Sequence, residues 1–314
     1  MDVLKKIFLD YSKERRATVV ATFTATLLAF IKLIIGIISG SVSVMASAID
    51  SILDTAISIF NFFAIKKAEE EPDEIFQYGK GKIQAIAAVI EGVIITMSGL
   101  YIIYQAIEKL IFHKTTEYLG TSIVVMLISI TITWFLVKYL EKIADETNNL
   151  VVKSDALHYK ADLLSNGAVL LAIGLVYLTG FDFIDAIVGF AIGAYIIYSA
   201  YEIIKEGVLI LLDRSLDPEI VAKIGEIISS HPKVRGYHWL KTRTDGKVNF
   251  VEFHLVLEPQ MTLEEAHKIA EEIECKIVAL DKQKGWVINP HFDPYDDEEI
   301  NIKFFKGEVS CDIN

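Results

Sequence analysis

Ala48-Ile49-Asp50-Ser51-Ile52-Leu53-Asp54 lies inside a long apolar stretch and places two carboxylates where hydrocarbon is expected. Positions i and i+4 share one face of an α-helix, so Asp50 and Asp54 project together. Ionisable side chains at membrane depth are costly and mark an ion site or an ion pathway. The stretch is therefore read as a membrane helix carrying a polar site, in a chain of 314 residues of which 53% are hydrophobic and fall in several uninterrupted runs.

Six such runs occur, at roughly 17–39, 42–65, 83–108, 117–139, 151–179 and 184–210. Each reaches the ~20 residues that a helix needs to cross a bilayer. The expected organisation is a lead-in over 1–16, an all-α six-helix transmembrane domain over 17–210, a cytoplasmic α+β domain over 211–295 and an acidic tail over 296–314. Lysines and arginines choose the orientation. They gather before the first run (Lys5, Lys6, Arg15, Arg16), between the second and third (Lys66, Lys67, Lys80, Lys82) and between the fourth and fifth (Lys138, Lys142, Lys153), whereas the opposite connections carry Lys109 and Lys114. The positive-inside rule then places both termini in the cytoplasm of a multi-pass protein of the inner (plasma) membrane. No cleavable signal peptide is expected, because the basic N-terminus leads into a run too long for one. The net charge of −12 argues against nucleic acid. Cys275 and Cys311 suggest no disulfide framework.

With that orientation the second run descends from outside to inside, and Asp50 and Asp54 lie roughly 14–20 Å deep at ~1.5 Å per residue. The fifth run ascends and contains Asp155-Ala156-Leu157-His158-Tyr159-Lys160-Ala161-Asp162. His158 and Asp162 are again i and i+4, at a similar depth from the inner end. Two antiparallel helices thus carry two ligand pairs to one level. Three carboxylates and one imidazole suit a tetrahedral divalent ion such as Zn²⁺. The absence of sulfur disfavours Cu(I), and the histidine fits poorly with Mg²⁺ or Ca²⁺.

The sequence resembles the cation diffusion facilitators, divalent-metal/proton antiporters. The resemblance rests on Gly40-Ser41-Val42-Ser43, Asp50-x-x-x-Asp54, Tyr78-Gly79-Lys80-Gly81-Lys82, His158-x-x-x-Asp162 and Leu211-Leu212-Asp213-Arg214, and covers about residues 12 to 294. It implies a homodimer, a transport site formed by Asp50, Asp54, His158 and Asp162, and a charge interlock between Lys82 and Asp213. It also implies a binuclear metal site at the dimer contact of the cytoplasmic domain, onto whose ligand positions His238, His254, His267, His291 and Asp293 fall. Family members often hold another metal in the loop before the third helix. Here Asp73 remains, but Phe76 and Lys80 stand at the histidine positions; an ammonium offers no lone pair, so no metal site is expected in this loop.

Two further acids stand out. Glu91 interrupts the third run and could couple protons, line the cavity, or pair with a polar neighbour across the dimer. Asp155 is either part of the entry funnel or an exposed helix-start acid.

After Asp213 the pattern becomes soluble. A helix is expected from Pro218 to Ser230, a hairpin of strands 236–244 and 247–257 around Asp245-Gly246, a helix from Thr262 to Leu280 opened by a Thr262/Glu265 capping box, and a last strand from Gly285 to Asn289. The order αββαβ is that of a small two-layer metallochaperone or ferredoxin-like domain. Alternation assigns Val251, Phe253, Leu255 and Leu257 to its core, which turns His254 to the other face. His231 and His113 have no such partners and are read as structural or solvated. The tail from Asp296 is expected to be mobile.

The expected function is export of a divalent transition metal, Zn²⁺ first and Fe²⁺, Mn²⁺, Co²⁺ or Cd²⁺ as alternatives, in exchange for protons by alternating access. A rival class is a membrane metal-sensing scaffold without flux. A metalloprotease-type His-Glu-x-x-His and a nucleotide-binding Gly-x-x-x-x-Gly-Lys-Ser/Thr are both absent, so the chain is not expected to be an enzyme.

Overall fold

The computed structural model describes residues 11–39, 42–112, 120–179 and 183–308. The lead-in residues 1–10, Gly40 and Ser41 of the first motif, His113, Lys114 and Cys311 lie outside the described residues. The chain divides into two compact units, Met1–Leu209 and Ile210–Asn314.

The first unit is built of long helices: α1 (Lys13–Ser39), α2 (Val42–Ala68), α3 (Ile83–Phe112), α4 (Gly120–Thr147), α5 (Leu150–Thr179) and α6 (Phe183–Leu211). Among the described residues, α1, α2, α3, α4 and α6 are long and apolar enough to cross a membrane. α5 carries Lys153, Asp155, His158, Lys160 and Asp162 in its first half. Large apolar side chains such as Phe23, Phe30, Ile38, Met97 and Phe135 point away from the bundle, the arrangement of a surface solvated by lipid rather than water.

Small residues set how closely the helices approach. Ala17, Ala21 and Ala25 repeat every fourth residue on α1 and are buried against Ala64 and Ile65 of α2 and Leu136 and Leu140 of α4. On α6, a Cβ at Gly193 would fall 2.6 Å from Ile103 Cγ1 and 2.9 Å from the Gly99 carbonyl of α3. Both are the close backbone contacts that membrane helices use in place of a hydrophobic driving force.

Asn149 fixes where α5 begins. Its Oδ1 accepts from the amides of Val151 (3.0 Å) and Val152 (3.1 Å), and its Nδ2 donates to Gln84 Oε1 (2.9 Å) at the start of α3. The cap satisfies otherwise orphaned amides and ties the phase of α5 to α3.

The second unit runs α7 (Pro218–Ser229), β1 (Gly236–Thr244), β2 (Val248–Val256), α8 (Leu263–Val278), β3 (Gly285–Asp293), α9 (Glu298–Lys306). The sheet order is β1-β2-β3, antiparallel then parallel. Asp245 Oδ1 holds the hairpin turn by accepting from the Lys247 and Val248 amides, with Gly246 at φ +95°. The capping box between Thr262 and Glu265 opens α8 as expected. Val251, Phe253 and Leu255 pack against Ile224 and Ile228 of α7 and Ile269 and Ile273 of α8. His254 therefore belongs to the opposite face.

Two expectations are corrected. β3 does not stop at Asn289 but continues through Pro290 to Asp293, because an edge strand tolerates a proline. The tail is not mobile throughout: Glu298–Lys306 forms α9, with acids in the first turn and Lys303 and Lys306 in the last, matching the helix dipole.

Replacing the α5 cap tests this account of the bundle. Asn149→Ala should cost about 1 kcal/mol, seen as a lower unfolding midpoint in mixed detergent micelles, and Asn149→Asp should recover most of it. An unchanged midpoint in the alanine variant would show that the cap does not hold α5.

Candidate functional site

α2 and α5 meet where Asp54 faces His158. His158 Nε2 stands 3.1 Å from Asp54 Oδ1 and 4.0 Å from Asp162 Oδ2, one turn further along α5. One donor atom from each of the three residues lies within 4.8 Å of the others, a spacing that one divalent ion can span. Asp50 is outside this close group; it lines the same cavity, about 810 Å³ in volume, one turn nearer the start of α2. The register of the two helices is pinned next to the site. Ser58, one turn after Asp54, lies 2.7 Å from the hydroxyl of Tyr159, the neighbour of His158.

Lys32 was not anticipated from the sequence. It is buried in the middle of α1, lines the cavity, and donates from Nζ to Ser51 Oγ at 2.7 Å. Its signal was available, since Ala29-Phe30-Ile31-Lys32-Leu33-Ile34-Ile35 puts a lysine in an apolar run just as Ile49–Leu53 does an aspartate.

Glu91 of α3 is 1% exposed and its Oε2 accepts from Asn61 Nδ2 of α2 at 3.1 Å. The polar partner is thus supplied by the bundle itself. Asp155 is 0% exposed, which removes the reading of an exposed helix-start acid: the cap at Asn149 places it in the second turn, facing inward.

In the connection between α2 and α3, Asp73 is engaged by the chain. Lys80 Nζ is 2.7 Å from Asp73 Oδ2 and 2.9 Å from Glu70 Oε2, while Asp73 Oδ1 accepts from the Ile75 and Phe76 amides. The hydrogen bond from Lys80, then that from Phe76, lowers the Asp73 carboxyl to about 2. Lys82 belongs to the first unit and Asp213 to the second; within the second unit Arg243 Nη1 lies 3.4 Å from Asp213 Oδ1.

The second unit contains another donor group. Strand register puts His238 opposite His254 and His254 opposite His291, a row of three imidazoles across the sheet. Ring centroids are 4.9 and 4.6 Å apart along the row. Asp293 Oδ2 is 2.8 Å from His254 Nδ1 and 3.4 Å from His238 Nε2, and Asp293 Oδ1 is 3.2 Å from the exposed His291. His238, His254, Asp293 and Asp297 offer donor atoms within 4.8 Å of one another. Asp297 was not singled out in the sequence. His267 is not brought into this group; it is exposed on α8 and pairs with Glu271 one turn on. Buried His231 lies 3.2 Å from Glu272.

An apolar helix bundle with carboxylates and an imidazole around an internal cavity, followed by a small α+β unit bearing a histidine row, has the build of a membrane protein that handles metal cations. Comparison with known proteins specifies it further. The model of the cation efflux transmembrane domain matches residues 18–212, and that of the cytoplasmic domain of cation efflux proteins matches 216–295. The chain is 36% identical over 223 residues to the cation-efflux pump FieF of Citrobacter koseri, covering 71% of this chain and 74% of that one. It is 34% identical over 239 residues to FieF of Serratia proteamaculans, covering 76% and 79%. The chain belongs to the cation diffusion facilitator family of cation-efflux transporters.

The Asp73–Lys80 pair can be checked by titration. In protein carrying ¹³C-labelled aspartate, Asp73 should titrate at about 2, and Lys80→Ala should return it toward the ordinary ~3.9. An ordinary midpoint in the unaltered chain would show that the pair does not form.

Proposed function

We propose that the chain exports a divalent transition metal, Zn²⁺ first, from the cytoplasm in exchange for protons, by alternating access around Asp50, Asp54, His158 and Asp162. The observation that carries this reading is the Asp54–His158–Asp162 group at the wall of a cavity inside a lipid-facing helical bundle. Asp50 completes the set when the turn of α2 that bears it closes on the ion. In this reading all six helices cross the inner membrane and both termini are cytoplasmic. The metallochaperone-like second unit pairs two protomers, with Lys82 and Asp213 as a charge interlock between units. The histidine row with Asp293 binds metal there as a structural or regulatory ion, joined by His267 at the dimer contact. The loop of Asp73 takes no metal.

Charge explains the coupling. With Glu91 and Asp155 carrying their protons, three aspartates contribute −3, Lys32 +1 and the divalent ion +2, so the loaded site is neutral. The emptied site is left at −2 in surroundings that penalise net charge. Two protons restore neutrality, and ligands must be deprotonated to bind metal. Metal and protons are therefore alternative occupants of the same oxygens and nitrogen. In this reading Glu91 and Asp155, both buried, relay those protons. Selectivity among Zn²⁺, Fe²⁺, Mn²⁺, Co²⁺ and Cd²⁺ depends on geometry as well as donor type, and a flux competition in reconstituted vesicles ranks them.

In proteoliposomes, Asp54→Ala and His158→Ala should each reduce metal-driven proton flux by more than the ~10–100-fold that loss of an outer hydrogen-bond partner costs at a metal site. Wild-type flux in either variant would sink the antiporter reading. A chain that binds metal at the histidine row and shows no flux with any of the five ions would instead be a sensing scaffold. Lys32→Met should give tighter metal binding and slower turnover, because the loaded site then keeps a charge of −1; weaker binding would remove Lys32 from the charge account.

A further inference from the structure

α9 lies on the histidine face of the sheet, and it is tied there by its own side chains. Asp297, just before its first turn, places Oδ1 3.1 Å from His238 Nε2. Asn301, one turn on, donates to that same Asp297 oxygen at 2.8 Å and stands 3.3 Å from His238 Nε2 and 3.5 Å from His254 Nδ1. A second anchor sits further along. β1 bulges between His238 and Lys241, with Trp239 at φ 57°, a conformation a bulky L-residue rarely adopts. The bulge turns the Trp239 ring to Phe305 of α9, 6.0 Å away edge to face, with Lys241 Nζ 3.9 Å from the centre of the indole. Bulges of this kind re-aim a side chain locally.

The donor set formed this way is two imidazole nitrogens and two carboxylate oxygens, all from one protomer. His238 and Asp293 are nearly inaccessible, and the carboxylates of both Asp293 and Asp297 converge on the same His238 nitrogen. That number and type of donors fits tetrahedral Zn²⁺. We propose that Asp297 completes a four-ligand divalent-metal site with His238, His254 and Asp293 inside a single protomer, and that the bound ion fastens α9 onto the sheet, making the C-terminal helix a metal-dependent latch. The inference rests on the reading of this unit as metal-binding. It adds a ligand to that reading: the chain's own Asp297 closes the coordination of the ion held by His238, His254 and Asp293, and His267 and the second copy are not ligands of that ion.

The linkage has a quantitative consequence. If the ion binds the docked helix and not the undocked one, opening of α9 is suppressed by a factor of 1 + [M]/Kd. Hydrogen exchange in residues 298–306 should then slow by up to about 100-fold when free metal is 100 times Kd.

The test uses the full chain in detergent with Asp54→Ala and His158→Ala in place, so that the membrane group does not contribute, and Zn²⁺ alone as probe. Zn²⁺ should slow exchange in both 248–256 and 298–306. Asp297→Asn, which keeps the side-chain shape, should abolish the effect on 298–306 while leaving Zn²⁺-dependent slowing in 248–256 at higher metal concentration. Equal protection of 298–306 with and without Asp297 overturns the latch alone. Absence of Zn²⁺-dependent slowing in 248–256 in the chain with all four ligands overturns both the latch and the metal-binding reading beneath it.

Discussion

The contact between Asp54 and His158 joins two helices at the wall of a cavity inside an apolar bundle, and the polar groups of the bundle are arranged around it. Ser51, Asp54, Ser58 and Asn61 follow one another at i, i+3, i+7 and i+10, a single stripe along α2. Each meets a partner from another helix: Lys32 of α1 for Ser51, His158 of α5 for Asp54, Tyr159 of α5 for Ser58 and Glu91 of α3 for Asn61. α2 is thus the hub to which three helices are fastened by polar bonds. Dispersion packing over the alanines of α1 holds the same helices together without direction, whereas the stripe sets their rotation. A change at any of these four positions therefore acts on the ligand geometry through helix phase.

The second unit reaches its donor group by a different route. A helix presents ligands one turn apart, but a sheet presents them side by side, so residues far apart in sequence become neighbours through register. His238, His254 and His291 share one rung because the hairpin at Asp245-Gly246 and the α8 crossover set β1, β2 and β3 in that register. A slip of one residue in either pairing would send a histidine into the apolar face against α7 and α8. Apolar packing beneath the sheet and the imidazole row above it are two consequences of one alternation.

Much of this was legible in the sequence wherever a period exposes it. Helix spacing announced Asp50 with Asp54 and His158 with Asp162, and strand alternation put His254 on the correct face. The failures have physical causes. Lys32 has no partner at helical spacing on its own segment, since Ser51 comes from the next one. Asp155 could be read as an exposed helix-start acid because its burial depends on the helices packed against the start of α5, which the spacing of its own segment does not show. The last strand reads only to Asn289 in the sequence, although at a sheet edge a proline such as Pro290 is tolerated and the strand runs on through His291 to Asp293. The acidic composition of 296–299 suggested a solvated tail, while the ordering force on α9 comes from contacts distant in sequence: His238, His254 and Trp239. Asp297 was missed for the same reason.

The two donor groups share chemistry and differ in what surrounds them, and that difference bears on what each can do. At the membrane group His158 Nε2 faces two carboxylates, so a proton on it and a metal ion beside it would occupy the same place. The group opens on a cavity, and α1, α2, α3 and α5 all meet around it, so the occupant that neutralises it also acts on how those helices pack. In the second unit the donors are pressed between a sheet and one short helix. There the occupant has a single small element to act on, α9, whose contacts with the sheet are few and local. Proposed transport belongs with the first arrangement because exchange of occupants can be converted into rearrangement of a whole bundle. In the second unit the donor atoms reach α9 through His238 and His254, and the proposed latch is the response that those contacts carry.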